Sequence, residues 1–147
     1  LSVNFDRRTM KKLVVVILFF MACCQVEEIT PVTPDNDSFD PSKAILIKQG
    51  VLEGAGGHNA DGVASLYNMN GKYVVYLDPY TSQNGPDLKV YLSKDEGATE
   101  YLRLGNLKSV MGSQSYNVPV AIDQNEYTHV HVWCEKFSVV FAVAEIK

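Results

Sequence analysis

Asn70-Gly71 lies between two β-prone runs, Val63 to Met69 and Lys72 to Asp78, and no other dipeptide constrains the fold as much. Both central residues of a type I′ turn need positive φ, which Asn and Gly tolerate, so the spacing predicts a tight antiparallel hairpin. Similar punctuation recurs along the chain. Ala44 to Leu52 reads as a strand, Gly54 to Gly62 as a Gly/Asn/Asp loop, Pro79 to Pro86 as a second loop and Leu88 to Ser93 as another strand. Weaker strands follow around Glu100 to Leu104 and Gln114 to Val118, and Thr128 to Ile146 reads as a closing hairpin about Glu135-Lys136. No stretch sustains an apolar period near 3.6 residues, and there is no internal repeat. Seven to nine short strands over roughly a hundred residues imply an all-β fold, a single antiparallel β-sandwich or flattened barrel.

The N-terminal region obeys other rules. Met10-Lys11-Lys12 precedes nine uninterrupted apolar residues, Leu13 to Met21. A finished transmembrane helix needs about 20 such residues, so this run fits the apolar region of a secretory signal. Residues 1–9 precede a good start methionine and read as an over-extended frame. Phe20-Met21-Ala22-Cys23 resembles a bacterial lipoprotein signal, departing from it at Phe20, where Leu is usual. That resemblance implies a lipid on Cys23, whose acyl chains contribute about 0.8 kcal/mol per buried CH₂. The protein would then be anchored in the cell envelope, on the periplasmic side or the surface, without spanning the membrane. A plain secreted protein or an uncleaved anchor is the alternative.

Residues 1–22 therefore read as upstream extension and signal peptide, 23–42 as an acidic Pro-rich tether and 43–147 as the folded domain. The chain carries a net charge of −4. Residues 1–22 hold four basic side chains and one acidic, leaving 9 basic and 16 acidic in the remainder. A net of −7 disfavours nucleic acid, and it leaves the lipid rather than charge to hold the membrane.

Chemistry concentrates at the C-terminal hairpin. With a period of two, His129, His131 and Trp133 share one side of a strand, and Val130, Val132 and Cys134 the other. Cys134 is the one cysteine outside the leader region and has no disulfide partner within the domain. At a strand end beside a turn, it is expected to be half buried and still within reach. It reads as a redox thiol, as a small buried hydrophobe, or as the partner of Cys24 or of a second copy. Lys136 beside it would lower a thiol pKa and Glu135 would raise it.

His129-x-His131 has the spacing of a strand-borne metal pair, with His58 the only histidine left to complete it. Cys134 faces the other way. Residues 135–147 contain neither His nor Met, which argues against a blue-copper loop. The Cys-x-x-Cys-His haem signature and the Gly-x-Ser-x-Gly elbow are missing, and the glycines at 54–62 match no phosphate-binding loop. Trp133, Tyr73, Tyr76, Tyr91 and Phe141 read as core or half-core aromatics, with an aromatic binding face as the alternative.

Asn84-Gly-Pro-Asp-Leu-Lys-Val-Tyr-Leu-Ser93, Leu104-Gly-Asn-Leu-Lys108, Gly112-Ser-Gln-Ser-Tyr-Asn-Val-Pro119 and Val132-Trp-Cys-Glu-Lys-Phe137 with Phe141-Ala-Val-Ala144 resemble, in order and spacing, the DM-thirteen domain family. The likeness covers roughly 44 to 147. It implies an extracytoplasmic electron-transfer module acting through Cys134, either as a bare thiol or as the ligand of a group such as haem, with Trp133 and Phe137 as an apolar wall. His58 or Met111 would be the opposite haem ligand. The implied partner is an unidentified redox or cell-surface protein, and nothing marks the domain as a stand-alone enzyme. The competing expectation is a non-enzymatic binding or adhesion module in which Cys134 is structural.

Overall fold

The computed structural model describes residues 30–31, 35–36 and 38–147. The segment expected to be a signal peptide, residues 1–22, lies outside the described residues, as do Cys23 and Cys24. Among the described residues, nine strands form one sheet: β1 (Asp35–Asn36), β2 (Ile45–Gly54), β3 (Ala60–Met69), β4 (Lys72–Ser82), β5 (Leu88–Ser93), β6 (Tyr101–Asn106), β7 (Gly112–Asn117), β8 (His129–Cys134) and β9 (Val139–Glu145). Their order is β1-β7-β4-β3-β2-β9-β8-β5-β6. All neighbouring pairs are antiparallel except the short parallel pairing of β1 with β7.

Eight antiparallel strands thus curl into a nearly closed barrel, within the all-β class expected. The ends of the antiparallel sheet, β6 and β7, are consecutive in the chain, and the segment joining them bridges the gap. Leu107 N donates to Leu88 O at 2.8 Å on the β5 side, and Ser82 N donates to Val110 O at 2.8 Å on the β4 side. Gln114, fully buried, lines this seam. Its Oε1 accepts from Tyr116 Oη at 2.6 Å and from Lys108 N at 3.2 Å, and its Nε2 donates to Ser109 O at 2.9 Å.

The predicted hairpin is present. Met69 pairs with Lys72, and Asn70 and Gly71 take φ of 54° and 81°. Two boundaries differ from expectation. β3 begins at Ala60 and β4 runs on to Ser82, so Ala60–Gly62 and Pro79–Ser82 are strand rather than loop. The cause is a bulge between Gly62 and Ala64, opposite the stretch between Tyr80 and Leu77. Proline, which has no N–H to give a ladder, is tolerated there. Gly62 is required by close approach, because a Cβ on it would lie 2.4 Å from Pro79 O.

Thr30 and Pro31, within the segment expected to be a tether, contact the barrel. Thr30 is buried, its carbonyl accepts from Asn84 Nδ2 at 3.1 Å, and Pro31 O accepts from Val110 N at 2.9 Å. Inside the barrel, Leu66, Val75, Leu77, Leu88, Val90, Leu92, Val130, Val132 and Ala142 form one continuous core with Cys134. Among the described residues, no helix is long and apolar enough to cross a membrane.

Candidate functional site

Cys134 ends β8, opposite Leu88 of β5 and Val139 of β9. The alternation read from sequence holds in that Val130, Val132 and Cys134 all join the core cluster. Its accessibility does not match expectation, because Cys134 is fully buried rather than half exposed. The segment Gln83 to Asp87, which leads from β4 into β5, closes over the strand end as a lip. Sγ donates to Pro86 O at 2.9 Å, and Glu135 N donates to Asp87 O at 3.1 Å. Sequence alone could not show this cover, since the lip lies 48 residues away along the chain.

Two contacts fix the lip. Asp87 sits in the left-handed region at φ 61° and pairs its carboxylate with Lys89, which is 3% exposed and donates to Asn106 Oδ1 at 2.8 Å. Gly85 lies against Phe141 so closely that a Cβ would stand 2.6 Å from ring Cζ. The Phe141 ring also stacks on His58, with centroids 3.6 Å apart and planes 11° from parallel. Gln83 Nε2 donates to His58 Nδ1 at 2.9 Å, tying the ring back to the lip.

The expected Phe137 wall is absent. Phe137 is 60% exposed on the β8–β9 turn, with the Lys136 ammonium 5.6 Å from its centroid. Strand alternation carries Trp133 to the opposite face from the thiol, so it does not wall Cys134 either. Met111 pairs with Thr81 in an isolated bridge at the seam and is 36% exposed. His58, Met111 and Cys134 each meet different partners, and no axial pair is assembled.

A haem group can be tested against this geometry. The Cys134 thiol proton is given to a backbone carbonyl, the side chain has no exposed surface, and none of the described cavities is lined by it. An axial ligand needs open space for the macrocycle on its own side. These residues do not fit haem on Cys134.

The two histidines make separate hydrogen bonds. Ser93 Oγ donates to Asp95 O at 2.8 Å and so accepts from His131 Nε2, also at 2.8 Å, which assigns the proton to that nitrogen. His131 Nδ1 is buried with no hydrogen-bond partner. Burial holds this imidazole below its usual pKa of 6.5. His129 pairs through Nδ1 with Thr128 Oγ1 at 2.9 Å, and its ring lies 6.1 Å from that of His131. Its side lines a groove of about 900 Å³ with Gln49, Glu53, Glu96 and Glu145. His58 does not join the pair, and among the described residues no three His, Cys, Asp or Glu side chains are gathered for a metal ion.

The outer face of β8, β5 and β6 holds an arrangement that sequence reading dispersed among core aromatics. Tyr91 of β5 is 3% exposed between Tyr101 of β6, stacked at 4.2 Å and 16°, and Trp133 of β8, at 6.2 Å and 23°. Its Oη donates to Glu135 Oε1 at 2.7 Å, and Arg103 Nε donates to the same oxygen at 2.7 Å. Arg103 holds the Glu135 carboxyl below the usual carboxylate range. Burial first, and then the Glu135 carboxylate, push the Tyr91 phenol up. The alternation of Tyr91 with Val90 and Leu92 was legible, but its partners come from strands set beside β5 only by the sheet order.

The family model described as Electron transfer DM13 matches residues 53–146, from the end of β2 to just past β9, and so takes in Cys134 and the aromatic face. No curated protein and no solved structure matches the chain.

Proposed function

We propose that this chain, which belongs to the DM13 electron-transfer family, works in the cell envelope, held by a lipid on Cys23 and exchanging electrons through the thiol of Cys134. The observation that carries the site is the position of Cys134. It is the cysteine of the described domain, unpaired, at a strand end, and covered by a five-residue lip rather than by regular strand. When the lip opens, the Cys134 thiolate attacks one sulfur of a partner protein's disulfide. A mixed disulfide forms and the partner's other sulfur leaves as thiolate. An external thiolate then attacks the Cys134 sulfur of that mixed disulfide and releases the partner's second sulfur as thiolate, and a second external thiolate attacks the external sulfur now bonded to Cys134, forming the external disulfide and restoring the Cys134 thiolate. Each cycle moves two electrons from the external thiols to the partner disulfide. No cofactor is required.

Full burial of the thiol favours a second reading, a surface binding or adhesion module in which Cys134 only packs. Exchange with a disulfide-bearing partner separates the two. On the redox reading Cys134→Ser abolishes exchange and leaves the barrel folded, whereas unchanged exchange in that variant sinks it. The anchor is tested independently. Cys23→Ala should release the protein from the membrane fraction, and retention there would count against lipidation.

A further inference from the structure

We propose that Tyr91 is a one-electron redox residue of this fold, with Glu135 as its proton acceptor and Tyr101 as its outlet to a one-electron-oxidised metal centre of a partner. The inference rests on the electron-transfer reading of the family but not on Cys134. The cluster combines the parts such a step needs. Tyr91 is shielded from water, its phenol proton already points at a carboxylate 2.7 Å away, and its ring stacks at 4.2 Å on Tyr101, which is 48% exposed. Trp133 of β8 continues the stack from Tyr91 along the same outer face and is joined by one peptide bond to Cys134.

In the step, Tyr91 gives an electron through Tyr101 to the oxidised metal centre, and the O–H proton passes to Glu135 Oε1. A neutral tyrosyl radical and a neutral carboxylic acid result, and the metal is reduced by one electron. A reduced metal centre of a partner returns one electron to Tyr91 by the reverse path through Tyr101, and the proton goes back from Glu135 Oε1 to the phenol oxygen. The coupling follows from the surroundings. A buried phenol facing a carboxylate does not ionise beforehand, so oxidation without proton loss would leave a cation in a low-dielectric site. Arg103 keeps Glu135 ionised and aimed, and so ready to receive the proton. A purely structural Tyr91–Glu135 hydrogen bond would contribute to stability alone and would not need the second, stacked and half-exposed tyrosine.

The test uses the full chain in detergent with photogenerated ruthenium(III) tris-bipyridine as oxidant, read by transient absorption and electron paramagnetic resonance. The chain has 8 tyrosines, so site assignment needs a label as well as a deletion. A tyrosyl signal is expected that disappears in Tyr91→Phe, persists in Cys134→Ser, and gains fluorine splitting when 3-fluorotyrosine is placed at position 91. Glu135→Gln should slow radical formation by about 100-fold or more, the scale of a lost general base. A full signal in Tyr91→Phe, absence of the added splitting, or a Glu135→Gln rate equal to the parent would each overturn the proposal. A signal lost in Cys134→Ser but kept in Tyr91→Phe would do so too, and would place the radical chemistry at the thiol. Failure of the thiol reading instead shows in disulfide exchange, so the two proposals fail in different variants.

Discussion

Gly85→Ala tests whether the lip governs access to Cys134. A Cβ at this position would stand 2.6 and 2.7 Å from Cζ and Cε1 of Phe141 and 3.1 Å from Cδ2 of Leu88. Neither neighbour yields easily. Phe141 is 4% exposed and stacked on His58 at 3.6 Å, and Leu88 is 2% exposed in the core. Gly85 is not among the residues with positive φ, so the penalty is crowding rather than backbone strain. Overpacking of this kind costs about 1–3 kcal/mol. If the lip opens as a local unit, that cost falls on the closed state and disappears once the lip lifts. At tenfold per 1.4 kcal/mol, the open population and the rate of thiol labelling under native conditions rise roughly 5- to 140-fold.

The assay is labelling of Cys134 by an uncharged disulfide reagent in the full chain, with Cys23 and Cys24 replaced by Ala. It is run alongside urea unfolding. Val75→Ala, a core truncation in β4 toward the Asn70 hairpin, serves as the control for global destabilisation. The reasoning predicts that Gly85→Ala accelerates labelling far more than Val75→Ala at matched stability loss. It is refuted if both variants accelerate labelling equally, because the thiol would then be reached only by global unfolding, or if Gly85→Ala does not accelerate it at all.

Other predictions follow from the same geometry. Because burial depresses the His131 pKa, the unfolded chain binds a proton below about pH 6.5 that the folded chain refuses. Stability is therefore lost as pH falls below that value, until the folded imidazole also protonates. His131→Gln should flatten this limb in urea midpoints taken on either side of it, and an unchanged slope would count against the assignment. Gln114→Ala removes the buried acceptor of Tyr116 Oη and the donor to Ser109 O at the seam, and should cost about 1–3 kcal/mol for each buried group left without that bond. Denaturation midpoints near the parent value would show that the seam does not depend on this side chain. Phe137→Ser, at a 60% exposed position, should change stability by no more than about 0.5 kcal/mol by the same measure. A protein expressed with haem supplied should show no Soret band dependent on Cys134, and a band lost in Cys134→Ser would contradict the fit argued from burial.

Local rules made much of the barrel readable in one dimension. The Asn70-Gly71 turn needed only the φ preferences of two residues. The alternation of β8, with Val130, Val132 and Cys134 inward, needed only the period of an extended chain. The all-β class followed from short runs and turn residues without helical periodicity. Where a local signal misled, a non-local cause prevailed. Gly62 and Pro79 look like strand breakers, yet β3 and β4 continue past them because a bulge absorbs the missing donor and the close approach.

The site depended on distance along the chain. Cys134 was identifiable as the chemical candidate, but the bond from its thiol to Pro86 O joins residues 48 positions apart, and the pairing of Glu135 with Tyr91 and Arg103 joins residues 44 and 32 positions apart. The family resemblance implied Phe137 as a wall, while the turn that follows β8 directs it to solvent. The residues themselves determined the strands, the tight turn and which side of β8 meets the core, since steric preference and strand period act between neighbours. Only the order in which the strands lie side by side decided what covers the thiol and what stacks on Tyr91, because contacts across a sheet are selected by the burial of the whole barrel.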